Sequence, residues 1–274
     1  MPRAIWNGTI SFGLVNVPIG LYSAIEEKQI RFHQVTKSGH RIRQKRVDEK
    51  TGKEVDYDAL VKGYEKARGK VVIVEPEELE AAAPEQTRTI EIEDFVELAD
   101  IDPIYYNSAY YVAPRAGAGA DKAYALLREA MRKTGRAAVG RFVMRTKQYL
   151  AVIRAMDDVL VLETLYFSDE IRDPKELNIP KRVSVGTREL KIATQLIDSL
   201  TSEWDPARYK DTYRAAVQKV IDRKAKGETI TIEETKEKKG EVLDLVQALQ
   251  ASLDAKAKGA KGRRPAKRTR RKAS

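Results

Sequence analysis

Cysteine is absent from the 274 residues, which excludes disulfides and thiolate metal sites and suits a reducing cytoplasm. Histidine occurs only as His33 and His40, a spacing that fits no usual zinc pattern, so no metal and no cofactor is expected. Phosphate-loop, HExxH and GxSxG patterns are missing, and the expectation is a protein that is not an enzyme. No run approaches the ~18 apolar residues of a membrane helix. The opening segment, Met1-Pro2-Arg3-Ala4-Ile5-Trp6-Asn7-Gly8, has no apolar signal core, so a cytoplasmic protein without a membrane partner is expected.

The last twenty residues lack any Asp or Glu. They carry ten cations: Lys256, Lys258, Lys261, Arg263, Arg264, Lys267, Arg268, Arg270, Arg271 and Lys272. Of the chain's 51 Lys and Arg, these ten leave 41 to face 41 Asp and Glu, so the net +10 sits in the tail and the body is neutral. A polycation on a neutral body points to a polyanion partner, most simply nucleic acid. With its Gly, Ala, Pro and basic residues, 255–274 is expected to be disordered.

Hydrophobic residues make up 42% of the chain, enough for a substantial core. Residues 9–24, TISFGLVNVPIGLYSA, read as two strands bent at Pro18. Residues 29–36 alternate, and 41–47 also read as extended, with Arg41, Arg43 and Lys45 on one face and Ile42 and Gln44 on the other. Val71–Val74, 86–98 and Ala109–Ala113 read as strands, and Pro76–Ala83 as a helix start. Gly119–Thr134 is an amphipathic helix with Ala123, Leu126, Leu127, Ala130 and Met131 on its apolar side; the glycines at 117 and 119 form its flexible lead-in, capped near Asp121. Three strand-like runs follow as a meander, 136–146, 148–155 and 159–167. Beyond Pro180 the pattern turns helical over 188–200, 206–225 and 240–256, with a strand-like piece at 228–233. A β-rich domain followed by a smaller helical module results. Trp6, Phe12, Tyr22 and Phe32 are expected in the core. Tyr105, Tyr106, Tyr110 and Tyr111 suit either a β-rich core or stacking on bases.

Inside the neutral body the charges are separated. Residues 28–70 hold thirteen Lys or Arg and six acids; residues 75–102 hold eleven acids and only Arg88. The basic stretch supplies Arg31, Lys37, Arg41, Arg43, Lys45, Arg46, Lys50, Lys53, Lys62, Arg68 and Lys70 as candidate DNA-binding residues. Its bland reading is a solvated hairpin. Its sharper reading is an extended arm that tracks a phosphate backbone: same-face residues on a strand lie about 7 Å apart, near twice the ~3.4 Å rise per phosphate. Such contacts position a protein without reading bases. The acids Glu91, Glu93, Asp94, Glu97, Asp100 and Asp102 leave open a metal-dependent nuclease, against which stands a plain solvated strand face shared by Glu91 and Glu93.

Particular words of the sequence carry more. AIWNGTISFGLVNVPIGLYSA (4–24), RFHQV (31–35), RIRQKRV (41–47), VKGYE (61–65) and IDPIYY (101–106) resemble the bacterial Ku proteins. So do KAYALLREAM (122–131), ETLYFSDEIRDP (163–174), LKIATQLIDSL (190–200) and DPARYKDTYRAAV (205–217), in register over roughly 4–230. The resemblance implies a mixed, β-rich fold: a Ku-like β-barrel core over 1–195 that includes a long bridging arm at 28–70, a helical C-terminal module at 196–254, and the disordered basic tail at 255–274. It implies sequence-independent binding of double-stranded DNA ends by a ring-shaped homodimer, since the extra N-terminal domain of the eukaryotic relatives is not expected here. It also implies recruitment of an ATP-dependent repair ligase of the ligase D type for non-homologous end joining, through the helices after about residue 196. One departure is plain: related chains often carry a CxxC pair in the arm where this one has Asp48 and Thr51, so the tip, residues 48–53, must be held by turn chemistry or stay mobile. The competing reading is a general DNA-coating protein whose binding is dominated by the tail.

Overall fold

A computed structural model of the chain describes residues 3–82, 88–115, 119–180, 183–228, 249–250 and 253–254. The first strands are β1 (Trp6–Phe12), β2 (Val15–Ser23), β3 (Lys62–Ala67) and β4 (Lys70–Val74), and the helix α1 (Pro76–Ala82) follows. Next come β5 (Thr89–Glu97), β6 (Tyr106–Pro114), the helix α2 (Asp121–Thr134), and the meander β7 (Arg136–Met144), β8 (Lys147–Met156) and β9 (Val159–Leu165). Two helices, α3 (Thr187–Leu200) and α4 (Thr212–Ala225), end the described part of the helical region.

Seven strands close into a barrel in the order β1-β2-β6-β9-β8-β7-β5. Neighbours are antiparallel except at the seam, where β1 and β5 pair in parallel through Thr9↔Thr89, Ile10↔Ile90 and Ser11↔Glu91. The chain makes the return that parallel neighbours require along β2. Between β2 and β5 it inserts an excursion that holds residues 24–75, within which β3 and β4 form a separate hairpin.

The first hairpin differs from expectation. β1 and β2 are joined at Gly13-Leu14, where Gly13 has φ +58, and Pro18 lies inside β2 opposite Thr9. Proline is tolerated there because β2 pairs with β6 only from Ile19↔Pro114 onward, so its missing N–H removes no rung. Its carbonyl accepts the Arg115 N–H at 3.1 Å.

Inward-facing Ile10, Val17, Ile19, Leu21, Ile90, Val112, Leu160 and Leu162 are fully buried, each contributing roughly 1.5–3 kcal/mol on burial. The helix α2 adds Tyr124, Leu127 and Met131 to this core. Leu126, expected on the apolar side, is 64% exposed, because the stripe is set by Tyr124. The Tyr124 hydroxyl donates to the Val112 carbonyl (2.7 Å) and accepts the Leu160 N–H (2.8 Å), stitching α2 to the last rung between β6 and β9. Burial pushes that phenol's pKa up. Arg128 donates to the Asp158 carbonyl at 2.6 Å, so α2 stoppers the barrel at the β8–β9 turn. Outside the barrel wall, Ile101, Tyr105 and Tyr106 pack on Ala137, Val152 and Leu165, while Tyr110 packs against the inner core. Glu163, buried beside them, takes a two-pronged pair from Arg154 (2.6 Å at its shortest).

The chain divides into two compact units, Met1–Glu176 and Leu177–Ser274. The boundary expected at 195 falls within α3. In the second unit Glu189 accepts the Gly186 N–H at 2.9 Å ahead of α3, Asp211 caps α4 through the Arg214 N–H (2.8 Å), and Trp204 stacks on Tyr209. Of the expected helix 240–256, residues 249–250 and 253–254 are described and are helical. The rest of it, the strand-like 228–233 beyond Glu228, and the tail lie outside the described residues.

Gly140 of β7 shows how tightly the wall is built: a Cβ there would lie 2.1 Å from the Glu91 carbonyl oxygen of β5. Gly140→Ala is expected to lower stability by about 3 kcal/mol in urea unfolding, because backbone rather than a flexible side chain must give way.

Candidate nucleic-acid interface

Between Ala24 and Glu75 the chain forms an arm whose residues are nearly all exposed. Residues 29–36 and 41–47 are extended but are not ladder strands. They fold back at Thr36–His40, with Gly39 at φ +85, and meet only at the bridge Val35↔Arg41; a second bridge joins Val47 to Glu54. Among the described residues no neighbouring strand continues either pairing, and without a ladder strict alternation is not enforced. Arg41 accordingly shares a groove of about 300 Å³ with His33, Gln34, Ile42 and Gln44, although alternation would put Ile42 and Gln44 on the opposite face. Phe32, expected in the core, is 72% exposed because no packed layer lies beneath it.

All eleven predicted arm cations are exposed. Arg31 lies 3.7 Å from Glu27, Lys45 lies 2.6 Å from Glu54, and the Arg46 guanidinium sits 4.8 Å over the Tyr57 ring. Exposed pairs of this kind contribute about 0–1 kcal/mol, so a phosphate can displace the carboxylate cheaply. Lys37, Arg41, Arg43, Lys50, Lys53, Lys62, Arg68 and Lys70 have no ion-pair partner among the described residues.

The acids of 91–102 are arranged differently. Glu91 and Glu93 are both exposed on either side of the inward-packed Ile92 and both lie near Arg141 of β7, with a β-bulge between Ile92 and Asp94 locally shifting the register. Glu93 receives two hydrogen bonds from Arg141 of β7 (2.6 and 2.9 Å), which hold its carboxyl below the usual range, and Glu97 pairs with Arg136 at 3.2 Å. Among the described residues no group of three or more His, Asp or Glu could hold a metal ion.

The arm tip is pinned by one carboxylate. Asp48 Oδ1 accepts the Thr51 N–H at 2.6 Å and the Lys50 N–H at 3.0 Å. The Asp48 N–H donates to the Lys53 carbonyl (2.8 Å), its carbonyl accepts the Gly52 N–H (2.8 Å), and Gly52 takes φ +68. The Thr51 amide lowers the Asp48 pKa. This Asx-type turn spans Asp48 and Thr51, and it presents Lys50 and Lys53 at the loop's end.

Sequence reasoning missed the arm's uncovered apolar side chains: Val35, Val47, Tyr57, Tyr64 and Ile73 are all between 52% and 71% exposed. Period-2 alternation was the available signal, read as burial within one protomer. The tail cations Lys256 to Lys272 lie outside the described residues.

The profile of the Ku70/Ku80 beta-barrel domain matches residues 11–195. The chain belongs to the Ku family. It is 44% identical to non-homologous end joining protein Ku 1 of Saccharopolyspora erythraea over 271 residues, covering 98% of this chain and 83% of that one. Identity is 41% to the Bacillus subtilis Ku protein (92% and 82% covered) and 39% to that of Mycobacterium tuberculosis (93% and 96% covered). The matched range runs from the end of β1 through β9 and includes the inserted arm. Among the described residues no helix is long and apolar enough to cross a membrane.

The depressed Asp48 pKa gives a signed expectation. The turn's contribution is present above the ordinary carboxylate range and is lost as pH falls through the lower folded value. Asp48→Ala should therefore lower the protection factor of the Thr51 amide at neutral pH to the value the parent reaches only in acid, with the barrel's melting temperature unchanged.

Proposed function

We propose that this chain binds the ends of double-stranded DNA, without regard to sequence, as a homodimeric ring, and recruits a repair ligase in the non-homologous end joining of double-strand breaks. The single observation that carries the reading is the arm: an insertion between β2 and β5 whose residues 24–75 expose eleven candidate cations and a set of apolar side chains together. The cations suit a phosphate backbone, and the apolar residues suit a second copy of the chain, whose arm would complete the enclosure. The names of its relatives support the pathway.

In this reading residues 28–70 are the bridge, the helices of 196–254 provide the dimer-arm and ligase contacts, and an ATP-dependent ligase of the ligase D type supplies the bond-forming chemistry. The site of action is the nucleoid in the cytoplasm. A closed ring contacting phosphates is blind to bases but sensitive to topology, since it loads only by threading an end. The concentration of net charge after Ala255 favours a second reading, a DNA-coating protein bound mainly through its tail.

Two measurements separate these. At moderate salt the chain should bind a linear duplex far more tightly than a covalently closed circle of the same sequence; equal affinity would sink the ring. Reversing Arg41, Arg43 and Lys45 to Glu with the tail intact should weaken end binding about a hundredfold, the loss of three phosphate contacts near 1 kcal/mol each. Unchanged affinity in the folded triple variant would hand binding to the tail.

A further inference from the structure

Among the described residues only three that are not glycine take positive φ: Arg88 (+48), Arg145 (+61) and Asp157 (+48). Aspartate tolerates that region; arginine has no short polar side chain to ease it. Both arginines line one cleft of about 480 Å³, together with Arg3, Trp6, Asn7 and Val143. The cleft lies by the β7–β8 turn, at the opposite end of β8 from the α2 stopper.

The backbone around it is fixed from several sides. The Arg88 carbonyl accepts the Thr9 N–H at 2.9 Å, and a Cβ on Gly8 would lie 2.2 Å from that oxygen, so only glycine lets the strands close there. The Trp6 indole N–H donates to the Val143 carbonyl at 3.0 Å, holding the β7–β8 corner against β1. Strained backbone held by this much surrounding structure is found where a side chain must be aimed. Glycine or asparagine would serve both backbone positions better than arginine, so the arginines are not there for the turn.

None of Arg3, Arg88 and Arg145 has an ion-pair partner among the described residues, and all three are exposed. Arg88 is also the single base within the eleven-acid stretch 75–102, where the neighbouring arginines of β7 are taken up by Glu93 and Glu97. Three unpaired guanidiniums around one polar cleft suit the oxygens of a phosphate, which their forked donors match.

Position selects the source of that phosphate. The Ile5 N–H donates to the Leu21 carbonyl (2.8 Å), placing the β1 entrance beside the end of β2, where the arm leaves; Arg88 opens β5, where the chain comes back from the arm. We propose that Arg3, Arg88 and Arg145 form a phosphate-binding cleft at the root of the arm that grips a backbone phosphate of the DNA the arm tracks. This rests on the DNA-binding reading above and adds to it a site on the barrel itself.

The test uses the full chain and a linear blunt-ended duplex over a range of salt. Arg88→Gly and Arg145→Gly relieve their own backbones, so melting temperature should hold or rise. End affinity should nevertheless fall about tenfold for each, with the log–log salt slope shallower by about 0.9 per phosphate contact removed. Unchanged affinity and slope in these folded variants would overturn the cleft. A Trp204→Phe chain leaves Trp6 as the only tryptophan, so its fluorescence reports the cleft directly. Duplex and inorganic phosphate at matched ionic strength should both change it, and Arg145→Gly should move both changes to about tenfold higher ligand concentration. A response to inorganic phosphate alone would overturn the DNA source, and silence to both would overturn the site. Wild-type protein that binds circle and linear duplex equally would refute the ring and leave these outcomes readable.

Discussion

The parallel pairing of β1 with β5 is the constraint on which the rest depends. It involves only Thr9↔Thr89, Ile10↔Ile90 and Ser11↔Glu91, yet it turns an open antiparallel sheet into a barrel and abolishes the sheet's edges. The return that parallel neighbours require is made by β2, which runs back along β1 to the end where β5 begins, so the arm is an insertion between β2 and β5 that the seam accommodates without requiring. Closure also needs Gly8, whose missing Cβ admits the carbonyl of Arg88, itself at positive φ. One short seam thus sets the core and the close backbone approach at the root of the arm.

Charge follows the same division. Within the barrel, acids and bases are matched across neighbouring strands: Glu93 with Arg141, Glu97 with Arg136, Glu163 with Arg154. The most buried of these pairs keeps its charges by two-pronged hydrogen bonding, the condition under which a desolvated pair is tolerated. In the arm most cations face solvent, and the few pairs that exist are exposed and weak. Neutrality of the body by count therefore conceals a barrel wall that pairs many of its charges across strands and an arm that displays most of its own.

Much of this was legible in the sequence, and the failures have a common cause. The meander β7–β9 was read within a residue or two, since alternation and two-residue breaks are local signals. Pro18 was misplaced as a bend because its tolerance depends on where the β6 pairing begins, a long-range fact. Phe32 and the two arm runs were read as core and strands from genuine alternation, but alternation says which faces differ, not whether anything covers them. Leu126 lost its place on α2 to Tyr124, whose hydroxyl serves two backbone groups that no helix-only pattern reveals. The arm's basic residues were found because charge needs no partner to be counted. The Arg3–Arg88–Arg145 cleft was not, since it is assembled from three chain positions brought together only by closure of the barrel.

The tip of the arm shows how little is needed to shape a charged loop. In a chain without cysteine, no disulfide or thiolate clip can hold residues 48–53, and the task falls to the Asp48 carboxylate, which gathers two amides of the turn while its own backbone spans the base. A carboxylate at this place also lowers the local positive charge by one, next to Lys45, Arg46, Lys50 and Lys53. That is an electrostatic cost for a surface proposed to face phosphates. It is offset by order: four cations on a fixed turn would neutralise phosphates with less conformational entropy to lose than the same four on a free loop. The tail's sequence has no Asp or Asn to gather amides in this way, so the device that joins charge to order at the arm tip is not written into residues 255–274.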